Sequence, residues 1–214
     1  MTDNKQSGFL ITLEGGEGGG KSTQSVRLRQ KLSEEGRDVV VLREPGGTAI
    51  SEQIRQVVLS PTNTSMAFTT EVLLFQAARA QIYREIVIPS LKAGKVVIMD
   101  RSRDSSVVYQ GMVRGFGKEL INNLNDLSTD KTLPNLTILL DLPVAMGLQR
   151  REESGKIDRL DMEAQDFHQK VRDAYLELAR EDKTNRWVIV DAQKTVDEVE
   201  LEIWQEINKR VFGN

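Results

Sequence analysis

Residues 9–24 read Phe-Leu-Ile-Thr-Leu-Glu-Gly-Gly-Glu-Gly-Gly-Gly-Lys-Ser-Thr-Gln. An apolar run, Phe9–Leu13, precedes the spacing Gly15-x-x-x-x-Gly20-Lys21-Ser22, and residues that suit a helix follow. A glycine-rich loop between a strand and a helix is the arrangement that wraps the phosphates of a nucleotide. Glycine lets backbone N–H groups converge on the anion, and the helix N-terminus adds its positive dipole end. This segment therefore predicts a nucleoside triphosphate site within a P-loop NTPase fold.

The loop also predicts which groups hold the triphosphate. Lys21 is expected to reach the β- and γ-phosphates, and the Ser22 hydroxyl is expected to ligate Mg²⁺. A second candidate metal ligand is Asp100, which directly follows an apolar strand; its alternative roles are a helix cap or a salt bridge to Arg101. We therefore expect ATP and Mg²⁺ to bind. The residues assigned to ATP are Gly15, Gly16, Glu17, Gly18, Gly19, Gly20, Lys21, Ser22 and Thr23.

The composition excludes several classes of chemistry. The 214 residues include no cysteine and a single histidine, His168, so thiol chemistry is excluded and a site built on several histidines is disfavoured. The net charge of −3, with 29% charged residues of both signs, does not indicate a nucleic-acid or membrane surface. No apolar stretch approaches the ~20 residues of a membrane span, and Met1–Ser7 lacks the apolar core of a signal peptide. We expect a cytoplasmic protein that binds neither nucleic acid nor membranes.

Short apolar runs alternate with helical stretches along the chain. The runs are rich in Val, Ile and Leu and predict strands buried on both faces of a parallel sheet. They are Phe9–Leu13, Val39–Leu42, Val96–Met99, Leu136–Leu140 and Trp187–Val190. Helical spacing is found over Ser22–Glu35, Glu71–Leu91 (with a break near Pro89), Phe167–Arg180 and Thr195–Arg210. This order predicts an α/β fold, with about five parallel strands and helices on both faces. We expect one domain over residues 1–214.

Charged residues follow the strands at the sheet edge where such folds bind ligands. Arg43 follows the second strand, and Asp100 and Arg101 follow the third. After the fourth strand, residues 150–161 read Arg-Arg-Glu-Glu-Ser-Gly-Lys-Ile-Asp-Arg-Leu-Asp. Phosphoryl transfer needs an aligned donor and acceptor, and cations placed against the moving charge. The cations therefore predict an acceptor pocket beside the phosphate loop, and the segment at about 148–161 predicts a small mobile lid.

Four segments together resemble thymidylate kinase, a family of nucleoside-monophosphate kinases. They are the phosphate loop, Arg43-Glu-Pro-Gly-Gly-Thr48, Asp100-Arg101 with Ser105-Ser106-x-x-Tyr109-Gln110-Gly111, and Asp158-Arg159-Leu160 followed by Phe167-His168. The resemblance extends from about Phe9 to Lys209. It implies a nucleoside-monophosphate kinase-like fold and Mg²⁺-dependent transfer of the γ-phosphoryl group of ATP to dTMP, giving dTDP and ADP. It also implies a homodimer, which the broadly apolar helix over Glu71–Ile88 suits.

The resemblance assigns roles in the acceptor pocket. Phe75 would stack on thymine and Arg79 would donate to its O4, which an aromatic face and a guanidinium are able to do. Glu17 would face the 3′-hydroxyl of the sugar or the metal region. The full set assigned to dTMP is Glu17, Arg43, Glu44, Arg55, Phe75, Arg79, Arg101, Ser106, Tyr109 and Gln110. Packing against the thymine methyl is worth only ~1–3 kcal/mol, so dUMP is expected to be a poor substrate.

The lid is expected to supply a catalytic cation. Some family members carry an arginine inside the phosphate loop, where this chain has Gly18, and others, common in bacteria, place it in the lid. This chain resembles the second kind, with Arg150, Arg151, Lys156 and Arg159 as candidates. The residues assigned to catalysis are Lys21, Arg101, Arg150, Arg151 and Arg159. One departure from the family is Ser102, where many members have an aromatic residue.

Two alternative functions stay open. A kinase for another nucleoside monophosphate or for a deoxynucleoside would share the phosphate loop, although Arg79 and Gln110 suit a pyrimidine edge. A nucleotide-dependent switch would need no acceptor pocket, and the sequence contains no Asn-Lys-x-Asp guanine-reading segment.

Overall fold

The computed structural model describes residues 8–155 and 157–213. Its sheet has five parallel strands in the order β2-β3-β1-β4-β5. The strands are β1 (Phe9–Glu14), β2 (Val39–Arg43), β3 (Val96–Asp100), β4 (Leu136–Asp141) and β5 (Trp187–Asp191). The predicted fold class, an α/β fold around a five-stranded parallel sheet, is confirmed.

Every strand begins where the sequence predicts and ends one residue later. The added residues are all charged: Glu14, Arg43, Asp100, Asp141 and Asp191. The apolar pattern stops at the last buried residue, whereas the ladder of hydrogen bonds continues, since Arg43 pairs in register with Asp100. One edge of the sheet is therefore lined with charged residues at its carboxyl ends.

Helices cover both faces of the sheet. They are α1 (Lys21–Glu34), α2 (Ala49–Val58), α3 (Phe68–Ile82), α4 (Ile88–Lys92), α5 (Arg103–Ser106), α6 (Lys118–Thr129), α7 (Val144–Glu153), α8 (Gln165–Glu181) and α9 (Val196–Ile207). Ile11 of β1 packs in one core with Leu28 of α1 and Ile203 of α9. Its neighbour Leu10 packs on the other face with Ile82 of α3, as the alternation of side chains along a strand requires. No helix within the described ranges is long and apolar enough to cross a membrane.

The structure differs from the predicted helices in three places. Helix α3 starts at Phe68 and passes through a π-helical segment, Tyr83–Val87, into α4. The predicted break near Pro89 is this change of helix type, and Pro89 itself lies in the first turn of α4, where proline is tolerated. Helix α9 likewise continues as the π-helical segment Asn208–Phe212. Helices α2 and α6 lie outside the predicted helices, and the mobility of the lid stays a prediction.

Candidate active site

A cavity of about 660 Å³ opens at the carboxyl ends of the strands. Its walls come from the phosphate loop, the ends of β2 and β3, helix α3, the π-helical segment Val107–Val113 and the lid. Of the predicted site residues, those that line it are Glu17, Gly18, Gly19, Gly20, Lys21, Ser22, Thr23, Arg43, Glu44, Arg55, Phe75, Arg79, Asp100, Arg101, Ser106, Tyr109, Gln110, Arg150 and Arg151. The donor and acceptor regions predicted from the sequence therefore share one cavity.

The backbone of the phosphate loop fits closely against its neighbours. Gly15 has a φ of 132°, and a Cβ there would lie 2.4 Å from the carbonyl oxygen of Leu140. Gly18 has a φ of 65°, and its Cβ would lie 2.3 Å from the carbonyl oxygen of Gly147 in α7. Both positions require glycine because the conformation and the space exclude a side chain. Gly18 thus lets the loop touch the helix that carries the lid.

Lys21 is the first residue of α1 and is buried beside the loop. Its ammonium donates hydrogen bonds to the carbonyl oxygens of Gly15 at 3.2 Å and Gly16 at 2.6 Å. Burial, followed by the neighbouring Arg101 charge, lowers the pKa of Lys21 to about 8. A bound phosphate would supply the negative charge that this ammonium needs.

The two predicted metal ligands touch each other. Ser22 Oγ donates a hydrogen bond to Asp100 Oδ2 at 2.5 Å. Across the described part of the chain, no group of three or more His, Cys, Asp or Glu side chains could hold a metal. One hydroxyl and one carboxylate suit Mg²⁺, which usually completes its six oxygen ligands with substrate phosphates and water. The donor set fits Mg²⁺ bound together with a nucleotide.

Arg101 lies at the centre of the cavity wall. Its backbone has a φ of 65°, and its amide N–H donates to the carbonyl oxygen of Leu13 at 2.9 Å. Its guanidinium donates to the Gly15 carbonyl oxygen at 2.9 Å and to Glu17 Oε1 at 2.5 Å. Burial alone would raise the pKa of Glu17, but Arg101, Lys21 and Arg151 together lower it to about 2. The ionised Glu17 carboxylate therefore holds the Arg101 guanidinium beside the phosphate loop.

Glu14, at the end of β1, supports this wall from beneath and was not predicted as a site residue. It is fully buried, and its Oε1 accepts a hydrogen bond from the Ser102 N–H at 2.8 Å. Its Oε2 accepts from the hydroxyls of Ser105 at 2.6 Å and Tyr175 at 2.8 Å. Burial and then the Asp104 charge raise the pKa of Glu14 to about 7. The only sequence signal was an acidic residue directly after an apolar strand.

Two arginines line the acceptor side of the cavity, and they differ in whether a carboxylate neutralises them. Arg43, 54% exposed, donates to both carboxylate oxygens of Glu52 at 2.9 Å. Arg55 donates to the carbonyl oxygen of Pro45 at 2.8 Å and has no ion pair among the described residues. Burial and then the nearby Arg43 charge lower the pKa of Arg55. The neighbouring positive charges suit an anion between them.

Arg79 is almost completely buried, at 1% exposure, and most of its donors are occupied. Its Nε donates to Glu44 at 2.7 Å, and its Nη1 donates to Ser106 Oγ at 3.0 Å and to Asn125 Oδ1 at 2.9 Å. Its Nη2 donates to the carbonyl oxygen of Ser102 at 3.1 Å. Nη2 also lies 2.7 Å from Glu44 Oε2, so each of the five N–H groups of this guanidinium has an acceptor within reach, and a hydrogen bond to a ligand would have to replace one of them. Glu44, which the resemblance assigns to the acceptor, lines the cavity and is also the ion-pair partner of Arg79.

The remaining acceptor residues close the far end of the cavity. Phe75 is half-buried, and Tyr109 donates its hydroxyl hydrogen to Glu17 Oε1 at 3.2 Å. Gln110 is 2% exposed, and its amide nitrogen is bonded to Glu71. Ser102, the residue noted above as a departure from the family, is buried, and its hydroxyl pairs with the Tyr83 hydroxyl at 2.8 Å.

The arginines of the lid differ in their partners. Arg150 donates only to the carbonyl oxygens of Gly18 and Ala192, both at 3.4 Å. Arg151 donates to the carboxylates of Asp161 at 2.8 Å and Asp158 at 3.3 Å. Both line the cavity. Among the lid arginines that the structure describes, Arg150 is the one with no carboxylate partner.

Arg159, which the resemblance offers as a candidate lid cation, is buried away from the cavity. It is 7% exposed, does not line the cavity, and donates to Glu71 Oε2 at 2.6 Å. Its backbone and side chain also donate to the carbonyl oxygens of Leu59 and Val58, both at 3.1 Å. In this structure, Arg159 therefore joins the lid segment to the C-terminal end of α2 and to α3. Lys156, the other lid candidate, lies outside the described residues.

A phosphate loop, an adjoining pocket lined by arginines and a helix, α7, packed against the loop define a P-loop kinase of the nucleoside-monophosphate kinase class. Comparison with known proteins identifies the family. The family model described as thymidylate kinase matches residues 13–203. The chain belongs to the thymidylate kinase family.

Individual relatives agree with this assignment. A thymidylate kinase of Geotalea uraniireducens (strain Rf4) is 46% identical over 210 residues, covering 95% of this chain and 98% of the relative. A thymidylate kinase of Geobacillus sp. (strain WCH70) is 45% identical over 194 residues, covering 90% and 92%. The crystal structure of thymidylate kinase from Ehrlichia chaffeensis is similar with a TM-score of 0.77 and 30% identity, covering 94% of this chain and 99% of that chain. The resemblance drawn from the sequence motifs is confirmed.

Proposed function

We propose that this cavity transfers the γ-phosphoryl group of ATP to dTMP, giving dTDP and ADP. The identity of the reaction rests on membership of the thymidylate kinase family. The observation that supports its location is the shared cavity, in which the phosphate loop adjoins Phe75, Arg79 and Gln110. One continuous space lets both substrates meet without crossing the protein.

On the donor side, the glycine-rich loop and the N-terminus of α1 receive the triphosphate. Lys21 exchanges its two carbonyl partners for oxygens of the β- and γ-phosphates. Ser22 and Asp100 would hold Mg²⁺, which supplies positive charge against the phosphate oxygens.

On the acceptor side, Arg43, Arg55 and Arg101 surround the monophosphate of dTMP. Arg55 has no ion pair in the described structure, and Arg101 already adjoins the phosphate loop through the carbonyl of Gly15. Arg101 can therefore contact both the donor and acceptor phosphates during transfer. Phe75 offers a stacking face for thymine, and Gln110 faces the base edge.

The lid completes the cation set when it closes. Arg150 is the strongest candidate for the lid cation, because the carboxylate partners of Arg151 neutralise its charge. Closure also excludes water, which would otherwise accept the phosphoryl group and hydrolyse ATP.

The direct test is ADP release from ATP and Mg²⁺ with dTMP, dUMP, UMP, dCMP, dGMP or AMP as acceptor. We expect strong turnover with dTMP, weaker turnover with dUMP and negligible turnover with the others. A preference for another monophosphate would keep the fold and overturn the acceptor assignment. ATP binding without acceptor-stimulated turnover would favour a nucleotide-dependent switch.

We also propose that the protein is a cytoplasmic homodimer that binds neither nucleic acid nor membranes. Exposed apolar side chains on the neighbouring helices α3 and α6 support the dimer: Leu73 is 56% exposed, Leu120 48% and Leu127 76%. Light scattering after size exclusion should give a dimer for the wild type and a monomer for Leu73→Asp. The matched control is Leu201→Asp on α9, where Leu201 is 55% exposed. A dimeric Leu73→Asp variant would contradict the proposed face.

A further inference from the structure

Glu71 is a buried carboxylate behind the base end of the cavity. It lies in the first turn of α3, is 0% exposed and does not line the cavity. Its Oε1 accepts a hydrogen bond from Gln110 Nε2 at 2.8 Å. Its Oε2 accepts from Arg159 at 2.6 Å and from Arg114 at 3.5 Å. The two oxygens therefore have different partners: an amide on one side and two guanidinium groups on the other.

This contact fixes which atom Gln110 can offer to a ligand. A glutamine amide has one acceptor oxygen and one donor nitrogen, and its hydrogen-bond partners decide their orientation. Glu71 can only accept when ionised, so it takes the amide nitrogen of Gln110. Within the described residues, no donor is bonded to Gln110 Oε1, and Gln110 lines the cavity. Gln110 therefore offers its Oε1, a hydrogen-bond acceptor, to a ligand in the cavity.

We propose that Glu71 is a positioning residue for base selectivity, which acts by orienting the Gln110 amide; this rests on the proposed reaction with dTMP. An acceptor at this place complements the N3–H of thymine or uracil. Cytosine has an unprotonated N3 that is itself an acceptor, so the two lone pairs would oppose each other. A site built to receive a hydrogen bond discriminates strongly against a ligand that lacks the donor, because its own polar group is left unpaired.

The arginines make the effect of one substitution predictable. In Glu71→Gln, the new amide keeps its oxygen toward Arg159 and Arg114, because both are obligate donors. Its NH₂ group then faces Gln110, which must turn its own oxygen toward it. Gln110 would consequently present its NH₂ group to the base, which matches cytosine and opposes thymine.

The test compares kcat/KM for dTMP, dUMP and dCMP in the wild type and in Glu71→Gln. We expect the dTMP-to-dCMP ratio to fall at least about tenfold, which corresponds to ~1.4 kcal/mol. The dTMP-to-dUMP ratio should stay within about twofold, because the methyl group does not contact this amide. An unchanged dTMP-to-dCMP ratio would overturn the proposal.

Two further variants separate positioning from general damage. The control is Asp126→Asn, which neutralises another carboxylate that is paired with an arginine. Asp126 lies on α6 and pairs with Arg103, and its replacement should leave the dTMP-to-dCMP ratio unchanged. In a Gln110→Met background, Glu71→Gln should no longer change the ratio, since the residue through which it acts is gone. A full effect in that background would contradict action through Gln110.

Loss of the buried ion pair could also unfold the protein, because it leaves Arg159 uncompensated. The double variant Glu71→Gln with Arg159→Met removes that charge and keeps Arg114 as a donor to the new amide oxygen, so the dTMP-to-dCMP ratio should fall in the same direction. If wild type does not phosphorylate dTMP, the proposed function fails. If wild type prefers dTMP and neither Glu71→Gln nor the double variant lowers the dTMP-to-dCMP ratio, only the role of Glu71 fails.

Discussion

The phosphate loop and the lid both supply cations for the proposed triphosphate site, yet these cations differ in their hydrogen-bond and ion-pair partners. In the loop, Lys21 is buried and bonded to carbonyl oxygens, and Arg101, 16% exposed, is bonded to a carbonyl oxygen and to ionised Glu17. In the lid, Arg151 is neutralised by its own segment, whereas Arg150 is exposed and bonded only to carbonyls. Whether an arginine is free to bind a phosphate therefore depends on its partners, which a count of charges along the chain does not reveal.

The greatest loss of activity should come from replacing Lys21, in the phosphate loop. Lys21→Ala removes the buried ammonium that adjoins Gly15 and Gly16, and kcat/KM should fall by on the order of 10⁴-fold. Steady-state kinetics with both substrates and ATP titration measure this loss. Arg29→Ala, at an exposed position of α1, is the control and should behave as wild type. A change confined to the KM for dTMP would contradict the assignment of the loop to ATP.

The next effect tests whether Arg101 serves both substrates. Arg101→Ala should lower kcat by about 10²–10³-fold, because its charge adjoins the donor loop and lines the acceptor pocket. Arg101→Lys restores the charge but not the two-sided contact of a guanidinium with Gly15 and Glu17, so it should recover only part of the rate. Near-normal kinetics in Arg101→Ala, with an unchanged melting temperature, would remove this residue from the mechanism.

The sequence predicts the fold and the loop well because both depend on local patterns. Apolar runs marked all five strands, and the glycine spacing marked a loop whose Gly15 and Gly18 allow no side chain. Pairing between distant charges has no such pattern. The burial of Arg159 against Glu71 joins residues 88 positions apart, and the contact of Glu14 with Tyr175 joins residues 161 apart. These contacts exist only once the sheet and helices are packed.

The lid supplies a smaller effect that sharpens the contrast among its arginines. Arg150→Ala should lower kcat by about 10²-fold with little change in the KM for dTMP, since Lys21 and Arg101 remain. Arg151→Ala should lower kcat by less than about tenfold, because two aspartates already neutralise that guanidinium. A larger loss of kcat in Arg151→Ala than in Arg150→Ala would show that the lid exchanges its ion pairs when it closes.

The smallest effect, on stability, concerns Glu14. This residue lies beneath the phosphate-loop side of the site and accepts a hydrogen bond from the Ser102 N–H. Its pKa rises from an ordinary 4.5 to about 7 in the folded state, through burial and the Asp104 charge. The folded protein therefore holds a proton that the unfolded chain releases. The stabilisation from this proton is complete below pH 4.5 and is lost as the pH rises through about 7.

This linkage gives a measurable difference between wild type and Glu14→Gln. Between pH 5 and 8, the free energy of unfolding of wild type should fall by about 2 kcal/mol more than that of Glu14→Gln, which stays neutral. Urea denaturation at several pH values measures both slopes. Parallel profiles would mean that Glu14 keeps its ordinary pKa, so that its carboxylate is ionised beneath Arg101 throughout. A steeper wild-type profile would instead show that the wall beneath the loop holds a neutral acid at low pH, and that its hydrogen bonds to Ser105 and Tyr175 must rearrange as it ionises.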